Sequence, residues 1–332
     1  RGEFLGIAGR SGPTLVRVDF GLGNLSVVAD ESVMRGYVER LALDPDDEVV
    51  YLADWYRGLT AVDVSDPTEP RPLSAVGGWV WDADVVGDRA FMLSNRTYQG
   101  VDVSDPANLS LTGPQLSPAP LGNLLATSRL GFMTDLIGSV IVLDHSGSEV
   151  ELVGRLGREG SVTALGGELL IVADYDSFDV YNLPDAGLPQ IVGQTDFTGR
   201  GASMAVNGET VFVPQYYDPE IDVFDISDPT QPVHVSALTV GDRSSGFGFR
   251  YGSSAEDGLL AVADTDQGVV LIDTTDPTGL KFLTTIQTPT GSAWDVALRD
   301  GLLYVAALYD LLIFDVSAPD EPQLIGRLEL PG

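Results

Sequence analysis

The chain has no cysteine among its 332 residues. That excludes disulfides, thiolate metal centres and cysteine nucleophiles, and it leaves the redox compartment unreadable from sequence. Histidine is nearly absent too: only His145 and His234 occur, so a multi-histidine metal centre is not expected. Lysine is reduced to Lys281, and Lys plus Arg total 18 against 49 Asp plus Glu, a formal charge of −31. Nucleic-acid affinity rests largely on cations that displace phosphate counterions, so this balance argues against nucleic-acid and anionic-membrane partners. No apolar run approaches the roughly 20 residues needed to cross a bilayer, so no transmembrane segment is expected. The chain opens on Arg1 rather than Met, consistent with a processed or trimmed start such as a removed signal peptide.

What is present is a repeat. Apolar segments running into an Asp-turn place Asp63, Asp102, Asp144, Asn182, Asp225, Asp273 and Asp315 in register, at spacings of 39, 42, 38, 43, 48 and 42. A period of about 42 suits four-stranded propeller blades and also HEAT or armadillo helices. Strand chemistry separates the two. The unit "AWDVALRDGLLYVAALYDLLIFDVSAPDEPQLIGRLEL" (293–330) divides into four short runs rich in Val, Ile, Leu, Phe and Tyr between Gly, Asp and Pro turns. No segment sustains a helical period with caps. The expected fold is an all-β propeller of four-stranded antiparallel blades, with strands A to D in each.

Residues 1–332 are therefore expected to form one propeller domain, with units at about 1–36, 37–78, 79–120, 121–160, 161–200, 201–245, 246–290 and 291–332. The first unit supplies only strands B, C and D, because "GEFLGIAG" matches the B strand "GELLIVAD". Seven complete repeats plus this partial one favour eight blades, with a closing strand from before Arg1 or after Gly332. A seven-bladed ring with a decorated first unit is the alternative. Ring closure buries both faces of each small sheet against its neighbours and limits exposed edges.

The segments "GLTAVDVSDP", "GVVLIDTTDP", "LLIFDVSAPDEP" and "AWDVALRDGLLYVA" resemble the LVIVD-repeat family of bacterial and archaeal β-propellers. The resemblance spans the chain and is strongest at Asp63, Asp102, Asp225, Asp273 and Asp315. It implies a propeller, commonly on secreted or surface-attached proteins, and no settled enzymatic activity. An extracellular, cell-surface or periplasmic address follows as an expectation of that resemblance.

The repeated Asp-Val-Ser-Asp-Pro element reads as a turn lock between strands C and D. Asp66, Asp105, Asp228 and Asp276 sit where a carboxylate accepts backbone N–H groups and the next Pro fixes φ. Functional variety is expected on the opposite face, formed by the B–C and D–A connections. There "ADWYRG" (53–58), "SNRTYQG" (94–100), "ADYDSF" (173–178), "PQYYDPE" (214–220) and "ALYD" (307–310) gather aromatic rings beside carboxylates. Trp55, Tyr56, Arg57, Tyr98, Tyr175, Tyr216, Tyr217 and Tyr309 are the candidate binding residues of this rim. The equally simple structural reading is that several of these rings pack over blade tops. Trp81 with Asp82 and Trp294 with Asp295 begin matching A strands at the channel mouth, where Arg40 replaces the Asp in another blade and Arg250 lies nearby. These charges serve either a polar ligand or one another.

No cofactor motif is present. Calcium is the cation that Asp174, Asp176, Asp218, Glu220, Asp264 and Asp266, with Asp222, suit best, although neither "DTDQG" nor "DYDSFD" completes an EF-hand loop. No nucleophile elbow accompanies either histidine, so no catalytic residue is assigned. Three functional readings remain: a non-catalytic module binding a protein or carbohydrate through the B–C and D–A face, a carboxylate-based glycan hydrolase or lyase using Asp82 and Asp295, and a structural module of a larger surface assembly.

Overall fold

In the computed structural model, residues 3–9, 12–19, 24–29, 37–43, 48–94, 97–116, 120–135, 139–147, 150–159, 162–166, 168–174, 176–197, 199, 201–216, 218–240, 252–264, 268–289 and 291–329 are described, with backbone alone for 3–9, 12–19, 24–29, 114–116, 120–122, 135, 157–159 and 162–166. Seven sheets each contain four antiparallel strands in sequence order, spanning 38–76, 80–116, 120–159, 162–196, 205–239, 253–286 and 295–329. We number them blades 1 to 7. Strands B and C are buried on both sides, as in Val49–Asp54 and Gly58–Asp63 of blade 1, because each blade is sandwiched between two others. Among the described residues no helix is long and apolar enough to cross a membrane.

The ring has seven blades, which corrects the preferred expectation of eight. Among the described residues seven hydrophobic clusters form, and each straddles one pair of adjacent blades. One of them joins Val38, Leu52 and Val62 of blade 1 to Tyr304, Leu311 and Ile313 of blade 7. At the same seam Val38 N–H donates to Leu308 O at 3.0 Å, and Leu41 N–H donates to Asp295 Oδ2 at 3.0 Å. Blades 7 and 1 thus meet directly, and the ring closes without a strand from outside. The first unit forms its own three-stranded antiparallel sheet over Glu3–Gly9, Gly12–Asp19 and Asn24–Ala29.

The Asp-Pro turns form an inter-blade clasp as well as a lock. Asp63 Oδ1 accepts from Ser65 N and Oγ at 3.0 and 2.7 Å, and Asp66 Oδ1 accepts from Thr68 N and Oγ1 at 3.0 and 2.6 Å. The same pairs recur at Asp225 and Asp228 and at Asp273 and Asp276. In each case these hydrogen bonds hold the carboxyl below its ordinary value. The rigid turn presents its Pro carbonyl to strand D of the preceding blade.

That strand is adapted to receive it. In blades 1 and 3 to 7 a bulge interrupts the C–D register, and the residue after it is Ser74, Gly154, Gly193, Ser236, Thr284 or Gly326. Ser74 Oγ donates to Pro106 O at 2.7 Å and Ser236 Oγ donates to Pro277 O at 2.5 Å. At two of the glycines the carbonyl comes closer: a Cβ on Gly193 would lie 2.0 Å from Pro229 O, and one on Gly326 would lie 1.9 Å from Pro67 O, whereas Gly154 faces the Leu188 side chain instead. Blade 1 therefore docks on blade 7 by the same device that joins blades 4 and 5.

Candidate functional site

The site is built on the inner strands. The A strands present backbone N–H groups toward the channel with no further strand to pair them, so side chains of the preceding blade accept them. Asp82 Oδ2 accepts from Leu124 N and Asp84 Oδ2 from Ala126 N, both at 2.7 Å. Asp295 takes Leu41 N across the closing seam, and Ser254 Oγ takes Leu298 N at 3.0 Å. Burial pushes Asp82 up to about 7, opposed by Arg40 and the Leu124 N–H, while Asp295 and Asp84 reinforce the rise. Burial raises Asp84 to about 6 and also raises Asp295, which Arg40 holds down in part. Arg40 thus stands as the cation between the carboxylates of blades 2 and 7. Asp82 and Asp295 each brace the channel by accepting a backbone N–H of the next blade.

Above the braces lies a chain of aromatic rings. Trp81 and Trp55 have centroids 4.4 Å apart, Trp55 and Tyr37 are 5.4 Å apart, and Tyr37 and Trp294 are 5.7 Å apart. Trp55 Nε1 donates to Glu39 Oε2 at 2.8 Å, and burial raises the Glu39 carboxyl. The rings are tilted against each other at contact distance, so they form a platform rather than an open cage. The remaining tryptophan, Trp79, lies two residues ahead of Trp81 in the connection from blade 1 to blade 2 and is 59% exposed. All four tryptophans of the chain therefore belong to the B–C and D–A face of blades 7, 1 and 2.

Trp79 is held in an unfavourable conformation. Its φ is 57°, in the left-handed region where a Cβ is costly. The loop before it is fixed: Ser94 Oγ donates to Gly78 O at 2.7 Å, and Gly58, at φ 92°, lies so close beneath that a Cβ there would meet Val76 O at 2.2 Å. A strained, exposed, well-supported tryptophan is a signal that function, rather than packing, selects it. Sequence reasoning missed it because Gly-Gly-Trp reads as an ordinary turn. Its departure from the other D–A connections was the available signal.

The other candidates separate clearly. Tyr56 is 45% exposed beside Trp55, while Arg57 is half-buried with its N–H on Asp54. Tyr216 and Tyr309 are half-buried in the connections of blades 5 and 7. Tyr98 does not reach the rim: it lies within strand Thr97–Asp102, is fully buried, and is stacked near Phe91. Tyr175, Tyr217, Arg250 and Asp266 lie outside the described residues. Of the carboxylates, Asp54, Asp264 and Asp310 are buried. Asp54 Oδ1 accepts from Tyr37, Tyr56 and Arg57 N–H groups, so it caps the B–C turn. Asp310 binds Arg327 through both oxygens at 3.1 Å. Asp222 is buried between Gln215 Nε2 at 2.6 Å and His234 Nε2 at 2.8 Å. Asp174 and Asp218 are half-buried, as is Glu220, whereas Asp176 is exposed and accepts from Ser177 Oγ. No three of the described Asp, Glu and His residues converge as a metal site.

His145 explains the burial of Tyr98. Its Nε2–H donates to Thr127 O at 2.7 Å, which leaves Nδ1 to accept the Tyr98 hydroxyl at 2.7 Å. Burial lowers the imidazole to about 4, so the neutral tautomer persists. Tyr98→Phe is expected to leave Nδ1 without its donor and lower stability by about 1–2 kcal/mol, measured as a shift in denaturant midpoint. An unchanged midpoint would remove this inter-blade bond from the account.

A profile of the LVIVD repeat matches residues 47–74, 199–239 and 290–329. The chain carries LVIVD repeats. The matched stretches fall in blades 1, 5 and 7, and each contains its C–D turn with Asp63, Asp225 or Asp315. No curated protein matches this LVIVD-repeat chain. Among solved structures it resembles Hsv2 of Kluyveromyces lactis, with 13% identity and TM-score 0.65 over 89% of this chain and 100% of that one. KlAtg21, solved in complex with the coiled coil of AgAtg16, gives 9% identity and TM-score 0.68 over 89% and 99%. BamB of Moraxella catarrhalis gives 15% identity and TM-score 0.54 over 92% and 89%. At such identities the likeness is one of fold.

Proposed function

We propose that this LVIVD-repeat propeller is a non-catalytic binding module of the cell surface or extracellular space, recognising a protein ligand through the B–C and D–A face of blades 7, 1 and 2. The observation that carries the reading is Trp79, exposed and strained in the connection that leads into Trp81, whose ring pairs with Trp55 at 4.4 Å. Tryptophan and tyrosine anchors on a rigid support are the usual centres of binding energy at protein interfaces. Propellers of this shape do take protein partners, as the KlAtg21 complex with a coiled coil illustrates. The hydrolytic alternative is disfavoured because Asp82 and Asp295, the acids it would use, are each occupied by a backbone N–H of the next blade.

The test is a double substitution, Trp79→Ala with Tyr56→Ala, in the full chain. Affinity for a captured protein partner is expected to fall at least about tenfold, roughly 1.4 kcal/mol, while the buried Tyr98→Phe variant binds as the parent does. Equal binding by the double variant would move the site elsewhere. A glycan that binds the parent and not the double variant would keep the face and replace the ligand class with carbohydrate.

A further inference from the structure

We infer that the segment recognised by this face is basic, with an arginine or lysine side chain seated on the tryptophan platform; the inference rests on the proposed binding face and names the chemistry of its partner. Two independent features point the same way. The first is the aromatic surface: Trp79 is exposed, and two residues on, Trp81 forms a tilted pair with Trp55 at 4.4 Å. Ring faces carry negative electrostatic potential, and indole carries the most of any side chain.

The second is the charge beneath and around those rings. Glu39 and Asp54 lie at the sector and Asp82, Asp84 and Asp295 on the channel floor beneath it; burial raises all five and lessens their charge near neutral pH, so an incoming cation, added to Arg40 and Arg57, would favour their ionised forms. Asp54 sharpens the imbalance, since its Oδ1 takes three backbone N–H groups while its buried Oδ2 has no hydrogen-bond partner among the described residues. The whole chain carries −31. Its field repels an acidic segment during approach and draws a basic one in, and low-dielectric aromatic walls strengthen that field at the platform. Apolar stems of Arg and Lys also cover indole surface while the charged head stays beside the carboxylates.

The preorganised loop makes the fit specific to this sector rather than to acidity in general. Gly58 and Ser94 hold the Gly77–Gly78–Trp79 backbone before any ligand arrives, so little ordering remains to be done on binding.

Because all four tryptophans lie in this sector, intrinsic tryptophan fluorescence of the full chain reports on it alone. Titration with hexa-arginine at low salt is expected to give a saturable change in that signal, weakened by raising the salt to about 0.5 M. Trp79→Ala, and separately Tyr56→Ala, are expected to weaken the affinity at least about tenfold, with far-UV spectra and melting checked for each. Binding of hexa-arginine that leaves the fluorescence unmoved, or that both variants retain in full, would show attachment to the acidic surface elsewhere and overturn the inference. A tryptophan response to hexa-glutamate or maltohexaose in place of hexa-arginine would overturn it too, yet leave the binding face standing. A face that responds to no probe, and whose substitution leaves the captured partner bound, removes both readings.

Discussion

Gly326→Val is expected to lower stability by about 3 kcal/mol or more, because a side chain at that position strikes the carbonyl that closes the ring. A bare Cβ would already sit 1.9 Å from Pro67 O and 3.4 Å from Ile313 Cβ. The carbonyl has little freedom to retreat: Asp66 holds its turn through Thr68, and Glu69 N–H closes it on Asp66 O at 3.0 Å. Strand D of blade 7 would have to lift instead, separating the cluster shared by Leu311 and Ile313 with Val50 and Leu52. Gly193→Ala at the equivalent seam, 2.0 Å from Pro229 O, is expected to cost a similar amount. Gly78→Ala, with nothing within 4 Å of its Cβ, is expected to change stability by less than about 0.5 kcal/mol. Ser74→Ala falls between, losing the bond to Pro106 O and the long one from Leu109 N–H at 3.4 Å, together about 1–2 kcal/mol. Chemical unfolding followed by tryptophan fluorescence gives the order, and a Gly326→Val midpoint equal to that of Gly78→Ala would disprove the clasp.

This clasp also shows what the strand pattern conceals. Repeat spacing and apolar runs identified four-stranded propeller blades, because each strand's burial is a local property. Blade number is not local. Residues 1–36 read like strands B, C and D of another unit, and nothing in their periodicity tells whether the ring admits them. The decision lies in contacts between residues far apart in sequence, Gly326 against Pro67 and Asp295 against Leu41. The glycines at 193 and 326 were visible in the sequence, but only a known seam gives them meaning.

The loops that make up the proposed face were legible, and where their side chains lie was legible only in part. Tyr98 was expected on the rim because "SNRTYQG" looks like a loop, yet strand pairing runs from Thr97 onward and turns the ring inward toward His145. Asp54 and Asp310 are among the carboxylates beside the rim rings in sequence, but such short B–C turns need buried acceptors for their own backbone and for Arg327. Trp55, Trp81 and Trp294 were each found from sequence, and their convergence with Tyr37 came only from the ring closure that brings blades 7, 1 and 2 together.

Asp82→Asn is expected to make the protein more stable at and above neutral pH and to leave it nearly unchanged only where pH falls to the ordinary carboxylate value or below. In the folded chain Asp82 sits at about 7, against an ordinary value of 3.8. The folded state therefore holds that proton more tightly than the unfolded state. Its stabilising contribution is full below the ordinary value and is lost as pH rises through about 7, with an upper magnitude on the order of 4 kcal/mol. Asp84, raised to about 6, acts in the same direction. The turn aspartates act in the opposite sense: their lowered values give stability that is present above the ordinary carboxylate range and is lost as pH falls through the folded ones. Stability of the parent chain should thus peak in mild acid, with turn locks failing on one side and channel braces ionising on the other. Asparagine keeps an oxygen to accept the Leu124 N–H while removing the charge that Asp295 and Asp84 oppose. Unfolding midpoints at about pH 3.5 and about pH 8 should nearly converge between parent and variant at the lower value and separate by about 2 kcal/mol or more at the higher. Parallel curves across that interval would mean that Asp82 ionises without cost, and that Arg40 neutralises it fully inside the channel.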